Sequence, residues 1–350
     1  MHALTDLLEI IMTKRPHRTS LKDLAKELGV SIATVSRALR SSPEIGRDMQ
    51  QRVKDLAKKL NYRPNPFAQS LRKDSPKVIG VVVPNLVTHY YAAVLDGIED
   101  EARRAGYSVF SANSHESFED EAHAVDNFIN LHVEGIIACL SQNTTDYRHF
   151  EEIADMGIPL VFFGRTCLTD RFSSVTANGD EAAQQATNHL IETGSRRIAF
   201  IGGPNHLDMV RRRKHGYLEA LREKRLPIDR DLVLCGKIDY QYALKATEEL
   251  LRRENRPDAI LAFNDIITFA AFTAIKNCGL RIPEDVALIG FTDDVHAAYV
   301  TPRMSAIEDQ SHLMGVTACQ LLLKGINGDT KVYKEIVPQQ LVIRETSAKK

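Results

Sequence analysis

Residues 19–37, TSLKDLAKELGVSIATVSR, constrain this chain more than any other stretch. Leu21, Leu24, Ala25 and Leu28 recur at helical spacing and form one apolar face. Gly29 then ends the helix, because glycine enters the left-handed conformation without steric cost. Ser31 is placed to cap a second short helix, IATVSRAL, with Val35 and Leu39 facing inward. Two short helices joined by a tight glycine-bearing turn predict a helix-turn-helix, whose second helix enters the DNA major groove. Ser31, Ile32, Ala33, Thr34, Ser36 and Arg37 then face base edges and phosphates. The same pattern also fits a helical hairpin in a core, and the surrounding sequence decides between them.

A third helix is expected over 47–60, with Met49, Val53, Leu56 and Leu60 on one face. Three helices close a small core and leave the lysines and arginines outside. NYRPNPFAQSLRKDSP follows. Pro64 and Pro66 break the preceding helix, and Pro66 sits at the first turn of a new short one, PFAQSLRK. That helix is too short to be stable alone, so the segment is either a linker or a piece that folds on DNA.

Charge supports the DNA reading. The chain carries 45 basic and 46 acidic side chains, but residues 1–76 hold a surplus of seven positive charges. A basic end on an acidic body suits a nucleic-acid-binding module joined to something else.

From Lys77 the pattern changes. VIGVVVP reads as a strand buried on both faces. A helix (90–106), the strand YSVFSA, a helix (about 117–132), the strand GIIACL, a helix and the strand IPLVFF follow. A second series begins near Val175, with helices at 179–194, 209–225, 240–254 and 266–278 between the strands RIAFIGG, LVLCG, AILAF and VALIGF. Such alternation predicts parallel sheets with right-handed crossovers, in two doubly wound lobes. Ligands in these folds bind at the carboxyl ends of the strands, so a site between the lobes is expected.

Other chemistries find little support. No GxGxxG or GxxxxGK[ST] follows a strand, and no cofactor is expected. Cys139, Cys167, Cys235, Cys278 and Cys319 stand singly beside apolar stretches, which fits buried thiols in a reduced cytoplasm. No segment reaches the roughly 18 apolar residues of a membrane span, and the run LTDLLEIIM lacks the flanks of a signal peptide. Residues 1–18 read as an N-terminal extension, with Met12 a second candidate start.

The order of motifs resembles the lactose/galactose repressor (LacI/GalR) family of bacterial transcription regulators. The motifs that carry the resemblance are LKDLAKELGVSIATVSRAL, NYRPNPFAQSLR, IGVVVPN, GIEDEARRAGY, RRIAFIGG, RRKHGYLEAL, PDAILAFND, AIKNCGLRIPEDVALIGF and YVTPRMSAI. The resemblance implies an all-α helix-turn-helix headpiece (19–63), a hinge helix or linker (64–76) and an α/β core (77–345) like periplasmic sugar-binding proteins. The N-lobe would comprise about 77–176 and 311–338, the C-lobe about 177–310 and 339–345, and 346–350 a tail. It further implies a cytoplasmic homodimer on a palindromic double-stranded operator, with repression of carbohydrate-related genes as the expected action. A small effector (a sugar, sugar acid or sugar phosphate) would lie between the lobes.

Carried over residue by residue, Ile32 and Ala33 fall on the family's base-reading positions and offer apolar contact, for instance to a thymine methyl. Arg37 is the candidate for a bidentate guanine contact, with a phosphate contact as the alternative. Ser31, Thr34, Ser36, Tyr62 and Asn65 suit backbone contacts, and Leu71 matches the hinge leucine wedged into the minor groove. In the core the resemblance places Tyr90, Tyr91, Asn113, Glu116, Arg165, Arg213, Asn264, Thr292 and Asp293 at the effector, while Asp265 is expected to cap a helix. Three departures stand out: Thr292 replaces a usual carboxylate, Gly164 replaces an aspartate before Arg165, and Asp309 replaces a glutamine. Arg165 and Arg213 without those carboxylates suit an anionic effector. A soluble binding receptor or a sugar-modifying enzyme on the same core fold are the alternatives; the basic headpiece argues against the first. Against the second, no nucleophile–base pair or metal set is readable.

Overall fold

The computed structural model describes residues 19–62, 76–292 and 295–348. The chain divides into two units, Met1–Pro76 and Lys77–Lys350. The expected helix PFAQSLRK and the N-terminal extension lie outside the described residues.

The first unit holds three described helices, α1 (Leu21–Leu28), α2 (Ile32–Leu39) and α3 (Arg47–Lys59). Ser20 and Asp23 start α1 as a reciprocal capping box, and Gly29 ends it at φ +66°. Ser31 caps α2 by accepting from the Thr34 amide at 3.0 Å. At eight residues, α1 and α2 are below the roughly 12–15 needed for a stable isolated helix, so packing must hold them. That packing centres on Leu24, Val35 and Val53, all fully buried, with Ala25, Ala38 and Ala57 around them.

Among its described residues the second unit contains two six-stranded sheets. The first contains β1 (Val78–Val83), β2 (Ser108–Asn113), β3 (Gly135–Ala138), β4 (Leu160–Phe163), β5 (Ser173–Ala177) and β11 (Lys334–Val337), in the order β11-β5-β4-β3-β1-β2. The second contains β6 (Ile198–Gly202), β7 (Val233–Cys235), β8 (Ala259–Ala262), β9 (Ala287–Phe291), β10 (Ser305–Glu308) and β12 (Gln340–Val342), in the order β12-β10-β9-β8-β6-β7. All pairings are parallel except β10 with β12. Every residue of β1, β3, β4, β6, β8 and β9 is buried, as near-continuous apolar runs demand of strands covered on both faces. Val175 lies in β5, so the second series starts with the helix after it rather than with that strand.

Helices α4 (His89–Arg104), α5 (Phe118–Asn130) and α6 (Arg148–Asp155) connect the first strands, and α7 (Gly179–Glu192), α8 (Asp208–Glu223), α9 (Tyr240–Leu251) and α10 (Asp265–Asn277) the second set. The last helix, α11 (Ser311–Ile326), returns to the first sheet and packs against α4. Gly97 and Gly315 make that crossing possible: a Cβ on either would run into a backbone carbonyl of the other helix, His312 or Val94. Among the described residues the chain therefore crosses between the lobes three times, at 177–179, 308–311 and 337–340.

Candidate functional site

Two surfaces gather the predicted residues. On the headpiece, α2 presents Ile32 (45% exposed) beside half-buried Ala33 and Thr34. The Ser31 and Thr34 hydroxyls bond each other at 2.9 Å, and the Ser36 hydroxyl accepts from Arg40 at 3.4 Å. Arg37 is exposed, but its Nη1 donates to Glu44 Oε2 at 2.7 Å. Tyr62 is half-buried, packed against the three-helix core, and its burial pushes the phenol pKa up.

The second surface is a cleft between the lobes, whose enclosed space is about 60 Å³. The first lobe contributes Asn85, Thr88, Tyr90, Tyr91, Glu116, Cys139 and Arg165. Tyr90 and Tyr91 stand in the first turn of α4 and meet edge to face, centroids 5.0 Å apart. Gly164 at φ +62° lets the chain turn after β4 and leaves room for the Tyr90 hydroxyl, 2.8 Å from where a Cβ would sit. An aspartate there would displace that tyrosine. The second lobe contributes Met209, Arg213, Ile238, Phe263, Asn264, Asp265, Ile266 and Phe291, together with Asp309 from the second crossing.

Each cleft arginine carries its own carboxylate. Arg165 Nη1 donates to Glu116 Oε2 at 2.7 Å and to the Leu140 carbonyl at 3.1 Å. Burial alone would lower the Arg165 pKa, but the paired Glu116 carboxylate opposes it, and the guanidinium stays above its usual range. Arg213 Nη2 donates to Asp309 Oδ1 at 3.0 Å and its Nη1 to the Phe263 carbonyl. Its Cζ stacks 3.7 Å from the Phe291 centroid, and burial lowers its pKa against the opposing pull of Asp309. Burial pushes Tyr90 and Tyr91 up and Cys139 to about 11, so all three stay neutral near pH 7. Among the described residues the Arg213 Nε–H and the Thr88 hydroxyl have no partner. The cleft therefore offers aromatic faces and carboxylates that accept hydrogen bonds.

The comparisons with known proteins follow this division. Residues 20–65 match the family model of bacterial regulatory proteins, lacI family, and 187–347 match a periplasmic binding protein-like domain. The chain is 30% identical to catabolite control protein A of Priestia megaterium, over 94% of this chain and 99% of that protein. The chain belongs to the LacI family. It is 33% identical to the ribose operon repressor of Bacillus subtilis, over 87% of this chain and 90% of that protein. A solved transcriptional regulator CelR–cellobiose complex superposes with a TM-score of 0.72 at 29% identity, covering 94% of this chain and all of that one. LacI-family proteins are DNA-binding transcription regulators, and this chain is one of them rather than an enzyme. Among the described residues no helix is long and apolar enough to cross a membrane.

Within this LacI-family core, the cleft brings together Tyr90, Tyr91, Glu116, Arg165, Arg213 and Asn264 of the predicted set. It does not bring in Asn113, whose side-chain oxygen turns back to the His115 amide at 3.1 Å, and which is not part of the wall. Thr292 is likewise no wall residue: it is buried in the second lobe, its amide bonded to the Ile307 carbonyl at 3.0 Å. Asp293, Asn65 and Leu71 lie outside the described residues. The expected division between Asn264 and Asp265 is corrected: Asn264 caps α10 by accepting from the Ile267 amide at 3.1 Å, and Asp265 is the first residue of that helix. Both arginines on which the anionic-effector expectation rested are paired with a carboxylate, Arg165 with Glu116 and Arg213 with Asp309. Sequence reading missed Asp309 as a wall residue, although the glutamine-to-aspartate departure marked that position.

Proposed function

We propose that this chain is a ligand-responsive repressor whose homodimer grips a palindromic operator and whose cleft takes a small uncharged sugar. The pairing of both cleft arginines with Glu116 and Asp309 carries the effector class. An anion would have to displace a buried carboxylate or sit beside it, at a cost that repulsion in a low dielectric makes large. A neutral sugar needs neither. Its C–H face suits Tyr90, Tyr91, Phe263 and Phe291, and its hydroxyls suit the carboxylates of Glu116 and Asp309. The names of two relatives, a ribose operon repressor and a regulator bound to cellobiose, support a carbohydrate.

On DNA, Ile32 and Ala33 make apolar contacts and Arg37 reads a guanine after leaving Glu44. Ser31, Thr34, Ser36, Tyr62 and Asn65 position the headpiece, and Leu71 wedges the minor groove, as the family resemblance implies. Effector binding favours one lobe arrangement and so shifts operator affinity. The test is selection of sites from random duplex DNA with the full chain, repeated with neutral sugars, sugar acids and sugar phosphates. An enriched palindrome released by a neutral sugar supports the proposal. Release by a sugar acid or phosphate overturns the effector class, and no enriched site overturns the whole reading.

A further inference from the structure

The three crossings between the lobes are bonded to one another and to the cleft. Gln339, on the third crossing, is 8% exposed and is not part of the cleft wall. Its backbone amide donates to Asn178 Oδ1 on the first crossing at 2.8 Å. Its side-chain Nε2 donates to Asp309 Oδ1 on the second, the same oxygen that accepts from Arg213. The neighbouring Gln310, at φ +49°, donates to the Pro338 carbonyl at 2.8 Å and joins the second crossing to the third again. A hydrogen-bonded path thus runs from Arg213 in the cleft through Asp309 and Gln339 to Asn178. It touches every crossing.

Any rotation of one lobe against the other must be absorbed by backbone angles at these crossings. Arg213 is fixed in the second lobe by the Phe263 carbonyl and the Phe291 ring, so it senses a ligand without being free to swing away. The Asp309 carboxylate, by contrast, is aimed by two donors, Arg213 in the second lobe and Gln339 on the third crossing. We infer that Gln339 is a positioning residue that couples the cleft to the lobe hinge, holding Asp309 against Arg213 and transmitting a shift of either to all three crossings. The inference rests on the cleft being the effector site, but its test uses no effector and no DNA. A failure of the effector reading therefore leaves the outcome unchanged.

Cys139 supplies the readout, because it lines the cleft at 1% exposure while Cys319 is buried in the first-lobe core. The full chain is alkylated with N-ethylmaleimide and both cysteines are followed by peptide mass spectrometry. Gln339→Leu should raise the Cys139 rate about tenfold over wild type and leave Cys319 unchanged, the order expected when one charge-assisted hydrogen bond leaves a local opening equilibrium. Gln339→Glu places a second carboxyl against Asp309. The charged groups around that position are Asp309 and Arg213, with Tyr90 and Asp265 acting on the pair and Glu181 bonded to Asn178.

At about pH 8 this variant should show the same excess. At about pH 5.5 the two carboxyls share a proton, the donor returns and the excess should vanish. Equal acceleration of Cys139 and Cys319 would make Gln339 a stability residue only and overturn the inference. So would an unchanged Cys139 rate, or an excess in Gln339→Glu that ignores pH.

Discussion

Arg165 and Glu116 meet at 2.7 Å on the first-lobe wall of the cleft, and their pairing cancels the charge of the guanidinium. Glu116 also accepts the Gln142 amide at 2.6 Å, so one carboxylate holds both the guanidinium and the loop after β3. Glu116→Gln should destabilise the core by about 3 kcal/mol, because it leaves a buried cation without its counter-charge. The same change should raise affinity for sugar acids relative to neutral sugars. Thermal melts with and without each ligand class check both. An unchanged melt and an unchanged preference would show that the pair decides neither.

The Arg37–Glu44 pair poses a different problem, since both side chains are substantially exposed, at 46% and 65%. Such pairs contribute about 0–1 kcal/mol, so Glu44→Gln should leave headpiece stability nearly unchanged. It should tighten operator binding, because Arg37 no longer has to give up a partner. Arg37→Ala should relax selectivity at one base position by about 1–3 kcal/mol. Anisotropy titrations with single-base operator variants distinguish this from a phosphate contact, which would weaken every sequence equally.

The headpiece start rests on a local bond. Ser20 Oγ accepts from the Asp23 amide, and Asp23 Oδ2 accepts from the Ser20 amide at 2.8 Å. Ser20→Ala should cost about 1 kcal/mol of headpiece stability. Denaturation of residues 1–76 followed within the full chain, by exchange of α1 amides, checks it.

His189 on α7 faces Ser347 Oγ at 3.0 Å, and burial holds its imidazole below the ordinary histidine pKa. The unfolded chain therefore takes up a proton near pH 6.5 that the folded chain resists. Stability from this group is present above about pH 6.5 and is lost as pH falls toward the folded pKa. Melting temperature should drop on the acid side, and His189→Gln should flatten part of that slope. Parallel slopes for the two proteins would contradict the assignment.

What could be read from sequence was local or strongly periodic. Leu24, Val35 and Gly29 announce the headpiece because their spacing and conformation are set within a turn or two. The fully buried strands announce themselves as apolar runs. The crossings are different: β10, β11 and β12 are three or four residues long, too short for periodicity to register. The Arg213–Asp309 pair joins residues 96 apart, and nothing in either neighbourhood marks the other. Asn264 illustrates a further limit, because a side chain at a strand's end and a helix's start suits a cap and a ligand contact equally.

The central claim is that operator and effector bind one coupled equilibrium. Operator affinity is measured across concentrations of whichever sugar releases the selected site, and that sugar's affinity is measured with and without operator. Linkage predicts the same factor in both directions. Independent affinities, with the sugar bound and the operator unaffected, would contradict the account.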